Sequence, residues 1–295
     1  MYDARGPGGM SNKNSNLLFG GATIVIIAIA FFGVLFFPGG TSGPAVIAKN
    51  VSSADHPILT KLDDPKTKQY IEKLQVAAPE SAKLLAASAK EAVARNAGET
   101  ELIMLMLSTF DEKEMRLLAK ADVKHMDAMN NLLTSGLKQL SRSNSKWCRA
   151  SYYESMSNVD PMLALSDLSR ALGYGSEFYD WSLDFSMIVL TALEDARVNP
   201  KSYSGLTQSD EAVLQRAMMG VIANPQIMKL AMLQNASPAE AERALANVNI
   251  CDLALSFEGV YNGLPKGTRE RLWGEMAKEI DAGGVGSSLG GFVSF

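Results

Sequence analysis

The sequence predicts an all-α protein: a single N-terminal transmembrane helix followed by an irregular bundle of about eight to ten helices. Three observations carry this prediction. An unbroken apolar run extends from Leu17 to Phe37. From Pro65 onward, apolar residues recur every three to four positions, which is the helical period. After the apolar run, no segment alternates apolar and polar residues between turn signals, as half-buried strands do.

Leu17 to Phe37 is 21 residues long. At ~1.5 Å of rise per residue, a helix of that length matches the ~30 Å hydrocarbon core of a bilayer. A cleavable secretory signal has an apolar region of about 7–15 residues with a small-residue cleavage site close behind it. Here the nearest such pattern, Val46-Ile47-Ala48, lies behind Pro38 and Pro44, so the run reads as a retained anchor. Arg5 and Lys13 precede it and Lys49 follows. This balance places residues 1–16 in the cytoplasm and the rest of the chain outside it. The expected location is the inner membrane of a bacterial-type envelope, with the main domain in the periplasm. Within the span, Gly20, Gly21, Ala22, Ala28, Ala30 and Gly33 each face a large residue four positions on. The small-residue motif that lets membrane helices pack closely is missing, so the span reads as a tether whose partner is lipid.

Residues 38–64 hold Pro38, Gly39, Gly40, Gly43, Pro44 and Pro57 without a helical period, and form the expected spacer. The helical domain is expected over 65–281. Ala82, Leu85, Ala89 and Ala92 mark a first amphipathic helix, with Pro79 in its first turn and Gly98 as its stop. Leu102 to Leu107 is apolar all round and suits a short helix at the centre of the core. Val123, Met126, Met129, Leu133, Leu137 and Leu140 follow at spacings of three and four, and Phe178, Trp181, Phe185, Ile188 and Ala192 repeat the signal. Asp111 with Glu114, and Ser237-Pro238 with Glu240, have the spacing of N-terminal caps. Later helices are expected over 209–222, 225–234, 238–247, 250–262 and 268–281, the last burying Leu272, Trp273, Met276 and Ile280. No repeat of 33–47 residues aligns. Residues 282–295 are Gly/Ser-rich and read as a flexible tail; Phe292, Val293 and Phe295 at its end read as an unstructured terminus, the alternative being docking in a partner groove.

The chain has 295 residues and a net charge of −4. Removing residues 1–48 takes away two basic residues and one acidic residue and leaves −5. Nucleic-acid affinity rests on neutralising phosphates with clustered Lys and Arg, so a mildly acidic chain without a basic stripe argues against that partner. The two cysteines, Cys148 and Cys251, allow one pairing. In an oxidising compartment they are expected to form a disulfide, the alternative being two buried thiols that act as small hydrophobes.

Catalytic patterns are sparse. The two histidines, His56 in the spacer and His125 in the 122–140 helix, stand apart, and His125 reads as a solvated or rim residue. No zinc-binding spacing, phosphate loop or nucleophile elbow appears, so neither a metal nor a cofactor is expected. The 15 methionines, Met104, Met106, Met126, Met129, Met187, Met218 and Met276 among them, read as core packing on helix faces. Tyr153-Glu154-Ser155, followed by Asp160-Pro161, Ala164, Ser166 and Gly173, resembles the Glu-Ser segment of the lytic transglycosylases, helical enzymes that cleave peptidoglycan. The resemblance implies that Glu154 is a proton donor held protonated by a partly apolar pocket. It covers about 20 of the 295 residues and lacks the Gly-Leu-Met-Gln segment that follows in that family. The leading expectation is a membrane-anchored interaction or scaffold protein, an accessory subunit bound to other envelope proteins. The alternatives are a peptidoglycan-cleaving enzyme using Glu154 and a helical-repeat adaptor.

Overall fold

The computed structural model describes residues 55–152, 170–232 and 246–281, together with residues 240 and 243. Among them are ten α-helices and no strand: α1 (Pro65–Ala77), α2 (Pro79–Ala94), α3 (Glu99–Ser108), α4 (Glu112–Met115), α5 (Val123–Arg142), α6 (Glu177–Val198), α7 (Gln208–Ile222), α8 (Pro225–Met232), α9 (Ile250–Gly263) and α10 (Lys266–Asp281). Short 3₁₀ turns lie at Pro57–Thr60, Arg116–Lys120 and Lys146–Cys148. The all-α class is as expected. The apolar run 17–37, the 282–295 tail and most of the expected 238–247 helix with its Ser237-Pro238 cap lie outside the described residues. No described helix is long and apolar enough to cross a membrane.

The core is built around α1 and α6. These helices run parallel, since Lys66 pairs with Asp184 and Lys73 with Glu194 further along both. Between the helices Tyr70, Ile71, Leu74, Leu183, Leu190 and Leu193 are almost wholly buried. Helix α2 turns back from α1 at Ala78, and α3 closes the group, with the Tyr70 hydroxyl donating to Met106 O at 2.8 Å. Leu102, Ile103, Met106 and Leu107 are buried and Met104 and Leu105 half-buried, so this apolar helix sits in the core but is not enclosed on every side. Helices α5, α9, α10 and α7 pack outward from there, α5 against α6 and α9, α10 against the 116–120 turn, and α7 against α9.

Four local expectations are corrected by tertiary packing. Residues 55–64 belong to the fold, because Ile58 and Leu62 are fully buried and the 57–60 turn packs on α2. Helix α2 ends at Ala94, closed by Asn96 and not by Gly98. Asn96 adopts φ +60°, its N–H donates to Val93 O at 3.0 Å, and that of Ala97 donates to Ala92 O at 2.9 Å. This is the Schellman arrangement with asparagine in the left-handed position. The most buried face of α6 is Tyr179, Leu183, Ser186, Leu190 and Leu193, whereas Phe178, Trp181, Phe185 and Ile188 are half-buried. Covered by α1 on one side and α5 on the other, α6 keeps moderate side chains on the tighter face. Of the methionines expected on buried faces, Met106 is buried and Met104, Met126, Met129, Met187, Met218 and Met276 are half-buried.

Candidate functional site

Cys148 and Cys251 form a disulfide, with Cα atoms 5.0 Å apart across a sequence separation of 103. The backbone around it is matched by local pairing. Ala150 N–H donates to Val248 O at 3.1 Å, and Arg149 and Asn249 form an antiparallel bridge. The bond ties the end of α5 to the start of α9 and has both sulfurs buried, each cysteine being 2 % exposed.

The histidines have been drawn inside. His125 is 7 % exposed, and its Nε2 lies 2.9 Å from Asp195 Oδ2. The expectation of a solvated residue fails because α5 and α6 cross at this point and enclose its ring. The hydrogen bond from His125, helped by Lys124 and Asn199, holds the Asp195 carboxyl down at about 2. His56 is 2 % exposed and accepts the Ile58 N–H through Nδ1 at 3.4 Å. Burial lowers its pKa to about 4. Neither histidine stands beside the other, and no group of metal ligands forms among the described residues. Glu154, the residue implied by the transglycosylase resemblance, lies outside them.

The most built feature of the surface is the connection from α6 to α7, residues 199–207, which has no regular structure yet is fastened along its length. Lys201 N–H donates to Lys120 O at 2.8 Å. The Tyr203 hydroxyl donates to Ala121 O at 2.8 Å and accepts from Val123 N–H at 2.9 Å. Leu206 N–H donates to Glu275 at 3.0 Å. The connection lies directly on α10 at Gly274, where a Cβ would stand 2.7 Å from Tyr203 Cβ and 2.8 Å from Ser204 O. Only glycine permits that approach.

Beneath its far end sits Asp210, 2 % exposed. Thr207 and Asp210 cap α7 reciprocally, Thr268 donates to Oδ1 at 2.7 Å, and Arg271 makes a bidentate pair at 2.6 and 2.7 Å. The Arg271 guanidinium, then the Thr207 hydroxyl, hold the Asp210 carboxyl well below the usual carboxylate range. A planar fork gripped at two points is immobile. Between the connection and the first turns of α5 and α10 lies a cleft of about 320 Å³, lined by Asp122, Lys201, Ser204, Lys266, Glu270 and Arg271 among others.

A second concavity of about 330 Å³ runs between α7 and α9 over Ala217, Gly220, Ser256, Gly259 and Gly263, with Asn224 donating to Ser256 Oγ at 3.0 Å on its floor. A Cβ at Gly220, Gly259 or Gly263 would meet nothing within 4 Å.

Sequence reading missed the first cleft because none of its residues forms a motif. Its only local signal was the Thr207/Asp210 cap, and the partners Lys120, Ala121, Asp122 and Gly274 are distant along the chain. No family model matches the chain, and no curated protein or solved structure is significantly similar to it.

Proposed function

We propose that this protein is a membrane-anchored binding subunit: residues 17–37 hold it in the inner membrane, and the helical domain engages other envelope proteins on the periplasmic side. The observation that carries this reading is the Cys148–Cys251 disulfide. Such bonds persist in oxidising compartments and are rare in the cytosol, which agrees with a span whose preceding residues include Arg5 and Lys13. An anchor and a rigid disulfide-tied body together position a surface close to the bilayer, and binding is the work such an arrangement does. The fastened 199–207 connection is the kind of ordered loop on a rigid scaffold that carries recognition.

Two measurements test it. Alkylation of intact cells with a mass-tagged maleimide should leave the chain unshifted without reductant and shift it twofold-tagged after reduction under denaturing conditions. Protease added to spheroplasts should degrade residues 50–281 while leaving a membrane-embedded N-terminal fragment. Two freely alkylated thiols in unreduced cells, together with protection from that protease, would place the domain in the cytoplasm and end the proposal. Crosslinking in intact membranes then identifies the partners.

A further inference from the structure

The cleft beside the 199–207 connection has a definite charge pattern. Lys201 Nζ lies 3.9 Å from Asp122 and Lys266 Nζ lies 3.7 Å from Glu270. Both separations exceed hydrogen-bonding distance, so each ammonium keeps open positions, as do Glu270 and the Oδ2 side of Asp122, whose Oδ1 caps α5 by accepting Lys124 N–H at 2.9 Å. Arg271 is charge-balanced by buried Asp210, which takes two of its five N–H donors. The remaining donors have no acceptor among the described residues. The same holds for the hydroxyls of Ser202 and Ser204, both exposed, and for the backbone N–H groups of residues 202–204 that line the cleft. The cleft therefore offers both signs of charge at once, sums to no net charge, and has a surplus of hydrogen-bond donors.

We propose that this cleft binds a small zwitterion, an amino acid or dipeptide carrying both a free ammonium and a free carboxylate. A simple anion would satisfy the lysines but leave Asp122 and Glu270 facing added negative charge, and a simple cation would do the reverse. A zwitterion answers both pairs without changing the net charge. Its carboxylate is taken by Lys201, Lys266 and the open side of Arg271, its ammonium by Glu270 or Asp122, and a peptide carbonyl by the serine donors. The volume suits this class: about 320 Å³ is about ten waters' share of liquid, close to the size of a dipeptide. Arg271, fixed by Asp210, and the connection, fixed by Tyr203 and Gly274, are ordered before binding, whereas the exposed Lys201 and Lys266 side chains are ordered by the ligand, a cost that puts the affinity in the millimolar range.

The test is calorimetric titration of the full chain in detergent micelles with alanyl-alanine, its N-acetylated form and its C-terminal amide, repeated on Lys201→Gln/Glu270→Gln. The expected result is saturable binding of the dipeptide at millimolar concentration or below, and binding of each blocked form about tenfold or more weaker. The double variant should lose a similar factor while keeping its unliganded melting temperature and circular dichroism. Absence of saturable dipeptide binding overturns the proposal. So do undiminished affinity for either blocked form, which marks a site that does not read both charges, and undiminished binding to a folded double variant, which puts the ligand elsewhere.

Discussion

His56 stands where the spacer joins the fold, and its ring is coupled to stability through burial. Its folded pKa of about 4 lies below the ordinary value of 6.5. Between those values the unfolded chain takes up a proton that the folded chain refuses, so stability is full above pH 6.5 and falls as the pH drops toward 4. The loss is on the order of 3 kcal/mol. Urea midpoints measured from pH 7 to pH 4 should decline in the wild type and decline less in His56→Asn, which keeps an acceptor for Ile58 N–H but does not titrate. Asp195 adds a second loss at lower pH: its pKa of about 2 is below the ordinary 3.8, so its contribution, present above 3.8, fades as the pH falls through 2.

Glu114 makes a related point about reading single residues. Its spacing from Asp111 suggests a local cap, and Asp111 does accept Glu114 N–H at 3.0 Å. The Glu114 side chain, 5 % exposed, instead caps another helix. It accepts from Ser81 N–H at 2.8 Å, from Ser81 Oγ at 2.7 Å and from Arg197 at 2.7 Å. Removing it leaves the start of α2 and Arg197 without their acceptor, so Glu114→Ala should cost about 3 kcal/mol in chemical denaturation. A cost within 0.5 kcal/mol of an ordinary surface substitution would show that this network contributes little.

At the scale of elements, glycines separate close packing from open groove. Gly274→Ala places a methyl against Tyr203 and the Ser204 carbonyl, which should cost about 2 kcal/mol and raise amide exchange in residues 201–205. Gly259→Ala meets nothing within 4 Å, so it should stabilise α9 by about 0.5–1 kcal/mol through the reduced entropy of the unfolded chain. Thermal melts of the two variants should therefore move in opposite directions. The helix ends show how element boundaries depend on the chain beyond them. Asn144 repeats the Asn96 device at φ +50°, with Asn144 N–H donating to Ser141 O and Ser145 N–H to Leu140 O. An asparagine has a weaker sequence signature than glycine, and for that reason Gly98 looked like the stop when it is the N-cap of α3.

At the scale of the whole molecule, the disulfide joins residues separated by 103 positions. Closing a loop of that length stabilises by at most about 4.7 kcal/mol in the chain-entropy model. Reduction, or Cys148→Ala with Cys251→Ala, should lower the urea midpoint while the secondary structure of the folded state is retained. An unchanged midpoint would mean that the 148–150 and 248–251 corner holds without the covalent bond.

What the sequence determined by itself was local: the helical class, most helix positions, the apolar centre at 102–107, and a cysteine pair with a single available partnering. Each follows from periodicity or composition within a short window. Tertiary structure alone decided that the spacer's last ten residues join the fold through buried His56, Ile58 and Leu62 and that His125 is enclosed against Asp195. It also assigned the inner face of α6 to Leu183, Leu190 and Leu193, and assembled a cleft from Asp122, Lys201, Lys266 and Arg271. Those outcomes depend on which helices meet, and burial, charge pairing and a glycine's close approach are properties of residues far apart along the chain, to which no local pattern refers.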